Sequence, residues 1–199
     1  MPTTCELATT GSPSPTPWIS ELNSNCTWLM LLNSLWRTAN WVNSACRKLV
    51  DTYRNGDNDL HISGYSWHTP WTWTAEKRAE ENEAAWGGGW GRTVEKDNGD
   101  TDSIFFTVFS DSHRKPEYNL GYAWNTYWGP RSGIQGGLGW TAFIMARSDI
   151  ANGWPFPAVL PLASVRYDRV TVYATYIPNF GGGVNNGSVL YVFGKVALK

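Results

Sequence analysis

Large apolar side chains alternate with small or polar ones along most of the chain from residue 59 onward. The clearest example is residues 118–128, where one face carries Tyr118, Leu120, Tyr122, Trp124 and Trp128 and the other carries Asn119, Gly121, Ala123 and Asn125. A period of two predicts β-strands, because successive side chains of a strand point to opposite faces. The pattern predicts eight strands, over about residues 59–69, 84–95, 101–111, 118–128, 134–146, 158–167, 169–178 and 188–198.

The predicted strands have the length that a membrane barrel requires. Each has roughly ten residues, which is enough to cross a bilayer at a tilt. An even number of strands closes as an up-and-down barrel and leaves no exposed edge. The large apolar side chains gather on one face, with aromatic residues near the strand ends, as in a lipid-facing band. We therefore predict an all-β protein, an eight-stranded antiparallel transmembrane β-barrel over residues 57–199.

The opposite face of the predicted strands is often small. Gly121, Ala123, Gly137 and Gly139 all fall on it. Glycine weakens a strand interior, so these residues indicate either barrel curvature or an unfilled slot inside the barrel. A slot with such walls, flanked by Phe143, would suit a hydrocarbon chain.

Two prolines fall where they interrupt strand pairing. Pro161 lies inside the predicted strand 158–167, and Pro178 ends the next strand. Proline cannot donate a ladder hydrogen bond, so it opens the sheet where it occurs. In a soluble protein this would mark an edge, whereas in a membrane barrel it would mark a lateral gap in the wall.

The N-terminal part of the chain has a different pattern. Residues 1–40 are turn-prone and contain a Ser/Pro-rich stretch, which predicts a poorly ordered extension. Residues 41–56 predict an amphipathic helix, with Trp41, Leu49 and Tyr53 on one face. The helix would either pack on its own barrel or lie at the lipid headgroups. No apolar run reaches the roughly 18 residues of a transmembrane helix.

Charge and composition narrow the partners. The formal net charge is −1, so we expect no nucleic-acid partner.

The aromatic run that ends at Ser110 is followed directly by Asp111, Ser112 and His113. This polar end is either an ordinary turn or a site that the strand delivers to one end of the barrel.

Several motifs resemble, in the same order, those of the PagP family of lipid A palmitoyltransferases. They are Ser66-Trp67-His68, Trp86-Gly87-Gly88-Gly89-Trp90-Gly91, Phe109-Ser110-Asp111-Ser112, Gly121-Tyr122-Ala123-Trp124, Leu138-Gly139-Trp140-Thr141-Ala142, Val159-Leu160-Pro161-Leu162-Ala163-Ser164-Val165 and Thr175-Tyr176-Ile177-Pro178. The resemblance extends from about Trp41 to Leu198. It implies an amphipathic helix followed by an eight-stranded barrel in the outer membrane of a Gram-negative bacterium.

The resemblance also implies an activity, a site and partners. It implies transfer of an acyl chain, palmitoyl or slightly shorter, from the sn-1 position of a phospholipid to a hydroxyl of lipid A. The family's essential His, Asp and Ser correspond to His68, Asp111 and Ser112 at the outer-surface end of the barrel. The acyl slot would include Gly121, Ala123, Gly137 and Gly139, and Pro161 and Pro178 would flank lateral lipid access. We expect a monomer that needs neither a cofactor nor a metal.

The three polar residues suit acyl transfer. His68 can act as a base near neutral pH, and Asp111 could orient it. Ser112 could act as the nucleophile or as a donor to the oxyanion, and direct attack by the lipid A hydroxyl is equally open. Asp111 and Ser112 can converge only if the strand has already given way to a loop. We expect His61 and His113, which match no motif of the family, to be exposed.

Two departures from the family and two rival functions remain. Ala123 replaces the glycine at the floor of the family's slot, which predicts a chain about one carbon shorter than palmitoyl. Ser63 stands where the family has a proline beside a lateral gap. The rivals are a non-catalytic structural or adhesion barrel of the outer membrane and a soluble lipid-binding barrel.

Overall fold

Within the described residues, eight antiparallel strands follow one another and close into a barrel, with the first strand paired to the last. The computed structural model describes residues 40–148, 153–179 and 187–198. The strands are β1 (Asp57–His68), β2 (Gly87–Glu95), β3 (Thr101–Ser110), β4 (Pro116–Trp128), β5 (Gln135–Ala146), β6 (Phe156–Tyr167), β7 (Val170–Ile177) and β8 (Val189–Leu198). Helix α1 covers residues 40–55, and a short helix α2 (Ala75–Glu80) lies between β1 and β2. The predicted eight-stranded antiparallel barrel is confirmed.

Strand alternation separates the two faces of the wall as the sequence predicts. Leu120, Leu138, Ile144 and Val159 point outward and are each more than half exposed. The side chains between them point into the barrel. The outer surface is therefore apolar over much of its height, as in a wall that faces lipid.

One end of the barrel interior, where β1 begins, is filled by paired polar groups; we call it the closed end. Lys195 Nζ donates to Thr93 Oγ1 at 2.8 Å and lies 3.4 Å from Asp59 Oδ2. Arg166 Nη2 donates to Gln135 Oε1 at 2.8 Å. Burying these charges is tolerable because each has a partner of opposite charge or a hydrogen bond.

The wall is interrupted toward the other end, where β1 finishes, which we call the open end. Among the described strands, the ladder between β6 and β7 extends only from Ala163 to Tyr167, so toward the open end the ladder of β6 continues with β5 alone. We call the unpaired part the β6–β7 split. Pro161 lies in it, two residues from the end of the ladder at Ala163, and its carbonyl accepts a hydrogen bond from Thr175 Oγ1 at 2.7 Å. Proline lacks the N–H that would continue the ladder.

A second interruption separates β1 from β2. Their continuous pairing ends at Ile62 opposite Gly88, and the β1–β8 register shifts between Ile62 and Tyr65. Beyond that point, among the described residues, an isolated antiparallel bridge between Tyr65 and Ala84 joins β1 to the segment before β2. The alternation predicts that the second strand begins at residue 84. Because of this interruption, β2 begins at Gly87 instead.

Helix α1 presents its apolar side chains to the surroundings. Trp41, Val42, Leu49, Val50 and Tyr53 are between 42% and 72% exposed. Among the described helices, none is both long and apolar enough to cross a membrane. The extension predicted over residues 1–40 lies, except for its last residue, outside the described residues.

Candidate active site

The open end of the barrel encloses a cavity of about 610 Å³, which we call the barrel cavity. Its deeper walls are largely apolar and aromatic, and include Phe105, Phe143, Leu160, Leu162, Tyr173 and Phe193. The volume falls in the range of roughly 300–1,000 Å³ that small-molecule sites occupy. Polar side chains that also line this cavity include His68, Glu81, Asp111, Ser112, Glu117 and Arg147.

His68, the last residue of β1, is held from several sides and is only 2% exposed. Its backbone N–H donates to Glu83 Oε1 at 3.1 Å, and its Nδ1 lies 3.6 Å from the same oxygen. The ring of Trp73 meets the imidazole edge-on, with the ring centroids 4.9 Å apart. Trp73 is fixed in turn, because its Nε1 donates to the Ser188 carbonyl at 3.1 Å. Because Nδ1 makes no hydrogen bond among the described residues, packing against Trp73 is what restrains the imidazole.

Glu83 lies in the segment between α2 and β2 and also accepts a hydrogen bond from the Tyr65 hydroxyl. Partial burial alone would raise the pKa of Glu83. The hydrogen bonds from Tyr65 and from the His68 amide, with the nearby imidazole, nevertheless hold this pKa below its ordinary value. The carboxylate beside His68 is therefore ionised at neutral pH.

Asp111 and Ser112 lie in a tight turn that follows the end of β3. Asp111 Oδ1 accepts from the backbone N–H groups of His113 at 2.9 Å and Lys115 at 2.7 Å. Arg114 adopts the left-handed conformation, with φ 62°, and its N–H donates to the Asp111 carbonyl at 3.0 Å. Because the strand has already ended, these two adjacent side chains both reach the barrel cavity.

The segment that carries Glu83 also contacts the Asp111–Ser112 turn. The backbone N–H of Asn82 donates to the Ser112 carbonyl at 2.8 Å. Asn82 and Glu83 are adjacent, so one short segment contacts His68 through the Glu83 side chain and Ser112 through the Asn82 backbone.

Arg147, at the end of β5, adds a positive charge to the site. Its Nη2 lies 3.8 Å from Asp111 Oδ2, and its Nη1 lies 3.5 Å from Glu117 Oε2. Our sequence reasoning missed both Arg147 and Glu117. Arg147 and Glu117 continue the inward-facing positions of β5 and β4. A charged residue at an inward position near the end of a strand could therefore have identified them from the sequence.

The predicted site residues occupy distinct places. His68, Asp111 and Ser112 line the same cavity, although in the described part of the chain no hydrogen bond or ion pair joins His68 to Asp111. Pro161 lies at the β6–β7 split, and Pro178 follows the last residue of β7.

The four predicted slot residues differ in their positions. Among the described residues that line the barrel cavity, only Ala123 belongs to this set, and it packs with Leu162 and Tyr173. The three glycines instead let neighbouring side chains approach. A Cβ on Gly121 would lie 2.7 Å from Phe105 Cζ and closer still to Phe143. A Cβ on Gly137 would lie 2.8 Å from the Tyr127 ring, and one on Gly139 would lie 2.6 Å from Asn125 Oδ1.

One expectation about the histidines is wrong. His61 is not exposed but only 7% accessible, and it lines the barrel cavity. It lies on the inward face of β1, with its ring 5.7 Å from that of Phe105. His113 has a half-exposed side chain whose Nε2 is 3.9 Å from Glu81 Oε1.

The arrangement has the parts that acyl transfer needs. A buried imidazole can take a proton from a hydroxyl, and nearby donors and cations can stabilise an oxyanion. The apolar cavity next to these groups is suited to a hydrocarbon chain. A closed barrel with an apolar outer face and such a site belongs to the class of barrel enzymes that act on acyl chains.

The chain belongs to the PagP family. Residues 48–195 match the family model described as "Antimicrobial peptide resistance and lipid A acylation protein PagP". A protein of Bordetella pertussis named "Lipid A acyltransferase PagP" is 39% identical over 155 residues, which cover 78% of this chain and 84% of the relative. Relatives of the same name from Methylobacillus flagellatus and Legionella pneumophila (serogroup 1) are 36% and 34% identical, over 79% and 90% of this chain and 84% and 95% of their own lengths. The prediction of an acyltransferase of this family is confirmed.

Proposed function

We propose that this protein transfers an acyl chain, palmitoyl or slightly shorter, from the sn-1 position of a phospholipid to a hydroxyl of lipid A. The observation that carries the proposal is the barrel cavity, because one enclosure joins an apolar interior to His68, Asp111 and Ser112. The names of the relatives supply the lipid A acceptor. The apolar outer surface supports a location in the outer membrane, with the open end toward the outer surface.

The reaction exchanges one ester for another. His68 takes the proton of the attacking hydroxyl, whose oxygen then bonds to the carbonyl carbon of the donor ester. The bond to the sn-1 oxygen breaks, and His68 returns the proton to that oxygen, so a lysophospholipid leaves. Ser112 serves either as the first nucleophile, giving an acyl-enzyme, or as a donor to the oxyanion. Asp111 and Arg147 fix the turn that presents Ser112.

The donor chain enters through the wall. The β6–β7 split beside Pro161 and ahead of Pro178 supports lateral access from the lipid layer, because the ladder there is not continuous. The chain then extends past Phe143 toward Ala123, which forms part of the slot floor. Gly121, Gly137 and Gly139 shape this slot from behind, by letting larger neighbours approach.

Helix α1 lies at the membrane interface in this proposal. Its uncovered apolar side chains, Trp41 and Leu49 among them, support that position. A non-catalytic barrel would share the apolar outer wall but would have no use for the polar groups at the cavity. A soluble lipid carrier would not expose the apolar outer wall.

An assay of the detergent-solubilised protein with phospholipid and lipid A tests the proposal. We expect the wild type to transfer the acyl chain, and His68→Ala and Ser112→Ala to lose about 100-fold or more of the rate. Ser148→Ala, an exposed serine after β5, is the matched control and should keep full activity. Undiminished transfer by both site variants would refute the assignment, and a wild type without transfer would favour the inert barrel.

A further inference from the structure

The carboxylate that contacts His68 is Glu83 rather than Asp111. Glu83 Oε1 accepts from the His68 backbone N–H at 3.1 Å and lies 3.6 Å from Nδ1 of the same residue. The imidazole is almost fully buried, whereas the carboxylate is partly accessible from the open end. Backbone and side chain of His68 therefore meet the same carboxylate oxygen.

Asp111 is engaged elsewhere. One of its carboxylate oxygens accepts two backbone hydrogen bonds within its own turn, and the other faces Arg147 at 3.8 Å. Among the described residues, Asp111 makes no hydrogen bond or ion pair with His68. Asp111 is thus placed to shape the turn of Ser112 rather than to orient the imidazole.

We infer that Glu83 is a positioning residue, which orients His68 for its role as the base; this inference rests on the proposed function. At 3.6 Å the contact between Nδ1 and Glu83 Oε1 has the length of an ion pair and is longer than a hydrogen bond. In the proposed arrangement Nδ1–H faces this carboxylate, so the neutral imidazole keeps its lone pair on Nε2, on the opposite edge of the ring. That nitrogen can then take the proton of the attacking hydroxyl, and the anion stabilises the imidazolium that forms.

Neighbouring contacts make Glu83 suitable for this role. The Tyr65 hydroxyl donates to its other oxygen, Oε2, which fixes the plane of the carboxylate. The backbone N–H of the adjacent Asn82 donates a hydrogen bond to the Ser112 carbonyl at 2.8 Å. Trp73 packs edge-on against the imidazole. The Glu83 segment thus contacts both the base and the turn that carries the serine.

Three substitutions separate the charge of Glu83 from its shape. Glu83→Gln keeps the acceptor oxygen for the His68 amide but removes the charge, Glu83→Ala removes both, and Glu83→Asp restores the charge on a shorter side chain. We expect kcat to fall about 10-fold in Glu83→Gln and about 100-fold in Glu83→Ala, with KM within about twofold, because base orientation acts mainly on the chemical step. Glu83→Asp should recover part of the loss. Glu80→Ala, an exposed acid in α2, is the control and should behave as the wild type.

A second measurement does not depend on turnover. In ¹⁵N spectra of detergent-solubilised protein at neutral pH, the wild-type His68 side chain should show the tautomer protonated at Nδ1. The Glu83→Ala variant should move toward the Nε2-protonated tautomer, while the barrel remains folded by circular dichroism.

The possible failures are distinct. If His68→Ala lowers transfer strongly but Glu83→Ala keeps kcat within twofold of the wild type, the proposed function stands and this inference falls. If His68→Ala keeps full activity, the proposed base is wrong. If the wild type does not turn over, the ¹⁵N spectra decide, and an unchanged His68 tautomer in Glu83→Ala overturns the inference.

Discussion

The two ends of the barrel interior are built from the same eight strands but are filled in opposite ways. At the closed end, Asp59, Lys195 and Thr93 pair with one another across neighbouring strands. Toward the open end the inward residues are largely apolar and aromatic and leave a cavity of about 610 Å³, which has Asp111, Glu117 and Arg147 at its rim and reaches Lys195 at its base. One end is therefore filled by paired polar groups while the other leaves room for a ligand, although both follow the same alternation.

Breaking the closed end should have the largest effect. Asp59→Ala removes the carboxylate beside Lys195 and leaves that ammonium buried without its counter-charge. We expect the free energy of unfolding to fall by about 3–5 kcal/mol. Denaturant unfolding in detergent or lipid vesicles measures it. Asp97→Ala, at an exposed turn, should change little; a loss in Asp59→Ala no larger than in this control would show that the pair does not stabilise the closed end.

Filling the space behind the open end should have the next largest effect. In Gly121→Ala the new methyl would lie 2.7 Å from Phe105 Cζ, 2.8 Å from the Ala142 carbonyl oxygen and closer still to Phe143 Cβ, so the β5 backbone and the Phe105 ring, which lines the barrel cavity, must both shift. We expect a loss of about 1–3 kcal/mol in stability and a preference for shorter donor chains. Nothing lies within 4 Å of a Cβ on Gly136, so Gly136→Ala is the matched control. Equal behaviour of the two variants would contradict this packing account.

Deepening the slot floor should have a smaller effect. Ala123→Gly removes a buried methyl that packs with Leu162 and Tyr173. We expect the preferred donor chain to lengthen by about one carbon, with a stability cost of about 0.5–1 kcal/mol for glycine in a strand. Mass spectrometry of the product with donors of graded length measures the preference. Ala142→Gly, on the outward face of β5, carries the same strand penalty and should leave the preference unchanged; an unaltered preference in Ala123→Gly as well would rule out Ala123 as part of the floor.

Acid should have the smallest effect of the four changes, and it should act at the rim of the open end. The pKa of Glu83 is lowered in the folded protein, so its contacts stabilise the site above the ordinary carboxylate pKa and are lost as the pH falls through the lowered value. We expect the amide resonance of His68 to titrate below the pH of an ordinary glutamate. A midpoint at or above the ordinary value would mean that the Tyr65 and His68 hydrogen bonds do not favour the charged carboxylate.

Much of this fold could be predicted from the sequence, because alternation specifies both strands and faces. The eight strands and their order follow from local pattern, as does the interruption at Pro161. The contrast between the two ends could not be predicted in this way. It depends on pairs such as Thr93 with Lys195, which are 102 residues apart and meet only through barrel closure.

The site divides in the same manner. Motif resemblance located His68, Asp111 and Ser112, and the structure places all three at one cavity. Glu83 lies in a connecting segment with no period, so nothing in the local pattern distinguishes it from Glu80 or Glu81. Its contact with His68 arises only when that segment folds back along the end of β1.

The central claim is that the open end holds a phospholipid acyl chain and passes it to lipid A. The most direct test supplies a phospholipid whose sn-1 chain alone is deuterated and analyses lipid A by mass spectrometry after incubation with the purified protein. We predict that lipid A gains one deuterated chain, with lysophospholipid released in equal amount, and that His68→Ala abolishes both. Lipid A without the labelled chain, or labelled equally by the wild type and His68→Ala, would contradict the account.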